Sequence, residues 1–248
     1  MLLMNIIISG FGCNDQYFVN LKKRIKKCEL YHIDCNKSIH IHIFDLLKIC
    51  DQYSQVNLIG FSMGCYIALL LEKYIVDKLH KIILISPSNI FFWWPTTDCY
   101  ITFPNHFKPL RICKVKNIPR CVKFLYNLSK FSFFYKLLSY FYYYFHSIKA
   151  KEPLCLIDNM SNMNVLCAWN QIKSIMIDLN FYELIRNVVY DKTITIITGT
   201  SDYNFDFCNL LQEVNGPKHK LKVIYGANHH MIYFESERVY SCLLPILI

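Results

Sequence analysis

Val56-Asn57-Leu58-Ile59 passes without a spacer into Gly60-Phe61-Ser62-Met63-Gly64, and that pentapeptide passes without a spacer into the apolar stretch 65–74. No other feature constrains the fold of this chain as tightly. A short run of β-branched and aliphatic residues reads as a strand buried on both faces. The stretch after it is longer and almost wholly apolar, and reads as a buried helix over 64–74. A strand and a helix joined by so tight a turn crowd each other's backbones, which explains a glycine at each end of the turn. Such a unit belongs in a parallel sheet whose crossovers carry helices.

The rest of the chain repeats that rhythm. Strands are expected at 5–8, 30–33, 56–59, 81–85, 193–198 and 221–225. Helices are expected at 16–27, 41–51 and 64–74, with a last amphipathic helix from near Ser236. The pattern predicts an α/β fold: a mostly parallel sheet flanked by helices. Residues 90–187 break the alternation. They are rich in aromatic, helix-like segments such as Phe131-Ser132-Phe133-Phe134-Tyr135 and Tyr140-Phe141-Tyr142-Tyr143-Tyr144-Phe145. The expected organisation is a core of residues 1–90 and 167–248 with a helical cap inserted at 91–166. Residues 168–188 form the helix that returns to the sheet.

A length of 248 residues fits one such domain. The net charge of +9 is spread over the chain without an Arg-rich stripe or a nucleic-acid motif, so no nucleic-acid partner is expected. The tightest basic run, Lys22-Lys23-Arg24-Ile25-Lys26-Lys27, reads as the wet face of the first helix. The 12 cysteines include no CxxC pair, which predicts free, mostly buried thiols in a reducing, cytoplasmic setting. Residues 1–8 are too short and lack the basic start of a secretory leader, and no stretch is long enough for a membrane span. His40 and His42 alternate as in a strand, but no carboxylate or cysteine is spaced to complete a metal site.

Four segments, each expected just after a strand, carry the residues that chemistry needs. Ser62 lies at the centre of GxSxG, where a strained strand-to-helix turn lifts a hydroxyl out of a sheet. Asp202 follows Gly199-Thr200-Ser201, and His229 follows Gly226-Ala227-Asn228. A serine attacking a carbonyl needs an imidazole to take its proton and a carboxylate to orient that imidazole. The order Ser, Asp, His along the chain suits this. The developing oxyanion needs preorganised N–H donors. Met63, after the serine, and Phe11, within Ser9-Gly10-Phe11-Gly12, are the candidates. His230 is the alternative base and Asp206 the alternative acid, while Cys65 reads as a small packing residue. Of the 7 glycines, only Gly216 falls outside these segments, as expected if the others mark backbone positions closed to a side chain.

With these segments in order, the chain resembles the α/β-hydrolase superfamily of serine esterases and lipases over nearly its whole length. Gly226-Ala227-Asn228-His229-His230-Met231 is similar to the histidine loop of monoglyceride lipases. The resemblance implies Ser62 as nucleophile, Asp202 as acid, His229 as base and Phe11 and Met63 as oxyanion donors, with no metal or organic cofactor. It implies hydrolysis of carboxylic esters, of apolar or lipid-like acyl groups if the aromatic cap lines the acyl pocket. Thioester or acyl-carrier-protein ester hydrolysis, and non-catalytic ligand binding, are the alternatives. Weak membrane-surface contact through the cap would make the protein peripheral. Three departures stand out. Ser9 replaces the usual histidine of the oxyanion loop. Asp34-Cys35-Asn36-Lys37-Ser38 lacks the usual glycines. The first antiparallel strands of the family have no counterpart.

Overall fold

A computed structural model describes residues 3–34, 36–87, 181–189, 191, 193–202 and 218–247. Its elements are β1 (Leu3–Ile8), α1 (Asp15–Lys22), β2 (Cys28–Tyr31), α2 (Ile39–Cys50), β3 (Gln55–Phe61), α3 (Met63–Leu71) followed by a 3-10 turn (Glu72–Tyr74), β4 (Leu79–Ile85), α4 (Phe181–Arg186), β5 (Ile194–Gly199), β6 (His219–Ile224), α5 (Met231–Phe234) and α6 (Ser236–Leu247). The cap expected over 91–166 lies outside the described residues. So does most of the returning helix, of which α4 is the described part.

The strands form one 6-stranded sheet in the order β2-β1-β3-β4-β5-β6, and every described pairing is parallel. The chain steps from β1 outward to β2, then returns past β1 to β3. This reversal creates a crevice at the carboxyl ends of β1 and β3, where sheets of this kind bind ligands. Successive residues of each strand face opposite ways. Ile6, Ile8, Leu58, Leu84 and Ile196 pack against α2, α3 and α4, whereas Ile7, Ile59, Ile83, Ile85 and Ile197 pack against α1, α5 and α6. Both faces are covered, which is why the strands read as unbroken aliphatic runs rather than alternating ones.

Three expectations need correction. The first helix ends at Lys22, not Lys27. Lys27 takes a left-handed backbone (φ 48°). The carbonyls of Lys26 and Lys27 accept the Asn5 side-chain amide at 3.0 and 3.3 Å. The basic run is therefore a turn that delivers the chain into β2, with only Lys22 in the helix. His40 and His42 lie on a helix, because 42, 46 and 50 form its buried stripe. The second strand also starts and ends earlier than expected, since beyond Tyr31 the Ile33 N–H bonds to the Ser9 hydroxyl at 3.0 Å and leaves the ladder.

Asn5, Asn57 and Lys81 stand in one row toward the amino edge of the sheet, and Lys222 stands further along β6. Asn57 donates to Asn5 at 2.8 Å. Lys222 donates to the Cys242 carbonyl at 2.6 Å, and Lys81 donates to the Ile246 carbonyl. The Ile246 carbonyl lies in the last turn of α6, where a helix runs out of its own donors, so Lys81 satisfies it. Lysines at 218, 220 and 222 on or beside the edge strand β6 also discourage pairing with a further chain. Among the described residues, no helix is long and apolar enough to cross a membrane, and Cys13, Cys28, Cys50, Cys65 and Cys242 are free thiols.

Candidate active site

Ser62 stands between β3 and α3 with φ 53° and ψ −117°, a conformation that an L-residue holds only when its surroundings enforce it. The enforcement is visible on both sides. The Ser62 N–H donates to the Ile85 carbonyl at 3.0 Å, and the Ser62 carbonyl accepts from the Cys65 N–H at 3.1 Å. A Cβ on Gly64 would lie 2.3 Å from the Ile8 carbonyl oxygen, so only glycine lets α3 settle this close to β1. The Cys65 thiol, pushed well above its usual range by burial, bonds to the Gly60 and Ile85 carbonyls and packs beneath the turn.

The second half of the site comes from β5 and β6. Asp202 follows β5 and is buried. The histidine loop follows β6, and the two turns are stitched together by backbone. The Ser201 N–H donates to the Ala227 carbonyl at 3.0 Å, and the Gly226 N–H donates to the Thr200 hydroxyl at 2.8 Å. A Cβ on Gly199 would meet the Ala227 carbonyl oxygen at 2.1 Å, which reserves that position for glycine.

The structure brings Ser62, His229 and Asp202 together. His229 Nε2 lies 2.9 Å from Ser62 Oγ, and His229 Nδ1 lies 3.0 and 3.1 Å from the two Asp202 oxygens. The carboxylate can only accept, so Nδ1 carries the proton and the Nε2 lone pair receives the serine O–H. His230 is engaged elsewhere. Its Nδ1 lies 2.8 Å from the Tyr17 hydroxyl, and burial, followed by its neighbour His229, pushes its pKa down to about 3. Asp206 lies outside the described residues.

Phe11 sits in the turn after β1, and Met63 is the first residue of α3. Neither backbone N–H has an acceptor among the described residues. The turn lies alongside the serine: a Cβ on Gly10 would come within 3.0 Å of Ser62 Cβ. Ser9, where the resembled family has histidine, is fully buried and ties the turn to the chain beyond β2 by accepting from Ile33. Two groups at the site escaped the sequence. The Phe61 ring lies 5.5 Å from that of His229, and Tyr17 reaches His230 across 213 positions. Phe61 had a faint signal, as the variable second residue of the pentapeptide, but Tyr17 had none.

No protein-family model matches the chain, and no curated protein matches it. Solved structures do. A hydrolase from Oleispira antarctica shares 15% identity over 100% of this chain and 91% of that one, with a TM-score of 0.69. A thermophilic esterase from Thermogutta terrifontis shares 13% over 100% and 90%, with a TM-score of 0.64. A bromoperoxidase from Bacillus anthracis shares 14% over 99% and 92%, also with a TM-score of 0.64. The likeness is one of fold: this chain has the α/β-hydrolase fold. Those neighbours carry different activities by name, so the activity has to be argued from the site.

Proposed function

We propose that this protein is a serine hydrolase that cleaves carboxylic esters of apolar or lipid-like acyl groups through an acyl-enzyme. The observation that carries the reading is the unbroken chain from Ser62 Oγ through His229 to the buried Asp202, with contacts of 2.9, 3.0 and 3.1 Å. As Ser62 Oγ bonds to the ester carbon, its proton passes to His229 Nε2 and the carbonyl electron pair moves onto oxygen. The N–H groups of Phe11 and Met63 receive that oxyanion, aided by the positive end of α3. Collapse expels the alkoxide, which leaves with the proton from Nε2. Water then attacks the acyl-enzyme with His229 as base, releasing the acid and restoring Ser62. The chemistry calls for no metal or organic cofactor.

The substrate class rests on the aromatic segments within 131–145, which as part of a cap over 91–166 would enclose an acyl chain. Each enclosed methylene contributes about 0.8 kcal/mol, so kcat/KM should rise roughly four-fold per CH₂ until the pocket is full. The test has two arms. A fluorophosphonate probe should label the wild type and not Ser62→Ala. Esters from acetate to palmitate, with matched thioesters, should then show a rising profile. A maximum at acetate removes the lipid reading, and a preference for thioesters moves the proposal to a thioesterase. Folded protein that is neither labelled nor active points to a binding protein on this fold.

A further inference from the structure

His229 is held by polar contacts only at its two ring nitrogens. Two such contacts leave the ring free to tilt about the line joining them, and a modest tilt would carry Nε2 off the serine. Two aromatic walls oppose the tilt. The Phe61 ring lies against His229 at 5.5 Å and 35°, and the His230 ring meets it edge-on at 5.6 Å and 81°. Behind both walls stands Tyr17 of α1, fully inside the core. Its ring lies 5.4 Å from Phe61, and its hydroxyl meets His230 Nδ1 at 2.8 Å. The four rings Phe61, His229, His230 and Tyr17 thus form a closed circuit.

We propose that Tyr17 and His230 form a positioning pair, in which the Tyr17 hydroxyl locks the His230 ring and that ring holds His229 in its productive orientation. The proposal rests on the serine-hydrolase reading for its effect on rate, but not for its effect on the ring. The pair suits the task chemically. His230 is kept neutral by burial first and by the adjacent His229 second, so one ring nitrogen keeps a lone pair, and in the tautomer that has it at Nδ1 the ring accepts the Tyr17 O–H. A neutral ring also sets no like charge beside the imidazolium that His229 becomes during proton transfer. The titratable groups facing His230 are Tyr17 from α1, His229 from its own loop and Asp202 from the end of β5, with Tyr233 of α5 beyond Tyr17 at 5.7 Å. The main chain is pinned as well, since the His230 N–H donates to Asn228 Oδ1 at 2.9 Å and its carbonyl accepts from the Tyr233 N–H at 2.9 Å. The side-chain ring is therefore the part left for Tyr17 to fix.

The test is Tyr17→Phe in the full chain, which keeps the ring and deletes one hydroxyl. The rate of Ser62 labelling should fall about ten-fold, with kcat reduced and KM unchanged. His230→Gln offers Tyr17 an acceptor but gives His229 no wall, and should fall as far. Adding His230→Phe to Tyr17→Phe restores a ring with no polar atom to satisfy, and should recover the rate to within about three-fold. Independently of activity, the His229 Nδ1 proton should give a slowly exchanging NMR resonance in the wild type that Tyr17→Phe broadens away. An unchanged resonance overturns the proposal. So does a rate loss that appears in KM, or one that only tracks a fall in thermal midpoint. If the wild type is not labelled at all, the hydrolase reading fails, and the resonance alone decides whether the pair positions the ring.

Discussion

At the carboxyl edge of the sheet, Ser62, His229 and Asp202 bond to one another; toward the amino edge, Asn5 and Lys81 bond to main-chain carbonyls of Lys26, Lys27 and Ile246. Both sets are polar side chains against an aliphatic core. The first costs stability: Ser62 is held at a disfavoured φ of 53°, and two N–H groups beside it have no acceptor among the described residues. The second supplies stability, because the bonds to Lys26 and Ile246 satisfy carbonyls, in a turn and at a helix end, that have no other donor among the described residues. A sheet whose amino edge is tied down by its own termini can keep a tense, under-bonded turn at the other edge.

Substitutions should separate the two edges. The largest effect is expected at the carboxyl edge: Ser62→Ala and His229→Ala should each lower kcat by about 10⁴-fold or more, and Asp202→Asn by somewhat less, with losses that do not add. Urea midpoints of these variants should stay near the wild type. If stability fell in step with activity, the edge would be structural and the contrast would collapse. Gly64→Ala drives a Cβ into the Ile8 carbonyl and should cost about 3 kcal/mol in urea unfolding. Asn5→Ala strands the Lys26 carbonyl and the Asn57 amide, and should cost about 2 kcal/mol while leaving the labelling of Ser62 per folded molecule unchanged. A labelling defect there would show that the amino edge also tunes the site.

The smallest effect concerns pH. His230 has its pKa lowered from 6.5 to about 3 in the fold, so between those values the unfolded chain binds the extra proton. Stability is therefore complete above about pH 6.5 and is lost as the pH falls below it. Because the residue is partly exposed, the loss between pH 6.5 and 5 should be about 1 kcal/mol rather than the full value that linkage allows. His230→Gln should flatten that part of the urea-midpoint profile. A profile identical to the wild type would mean that water reaches the ring freely.

The carboxyl edge was largely legible in the sequence and the amino edge was not, for a physical reason. A strained turn, a close backbone approach and a proton relay admit few residue types, so Gly60, Ser62, Gly64, Gly199 and Gly226 announce themselves. A carbonyl at a chain end can be satisfied by any donor of the right reach. Asn5 and Asn57 stand in otherwise aliphatic strands, and nothing in their neighbours along the chain, or in those of Lys81, shows which group each would reach. The strand interiors were readable because burial on both faces demands aliphatic residues, whereas the turn at Lys26 and Lys27 closes on Asn5, far away in the chain. The tie between Tyr17 and His230 depends on packing of α1 beside the last loop, which no local pattern encodes.

The pairing of β4 with β5 extends over three positions, Ile83 with Thr195, Leu84 with Ile196 and Ile85 with Ile197, whereas β5 with β6 extends over six. That short ladder separates the strand carrying Ser62 from the two strands carrying Asp202 and His229, and it lies where the long connection between residues 85 and 194 enters the sheet. Among the described pairings this ladder is the shortest, and it runs between Ser62 and His229. Under mild stress a slip along it would part Ser62 from His229 while each block of the sheet stayed whole and Asp202 kept its histidine. Reactivity at Ser62 should fade at lower urea than the circular dichroism of the sheet, and return on dilution without the delay of refolding.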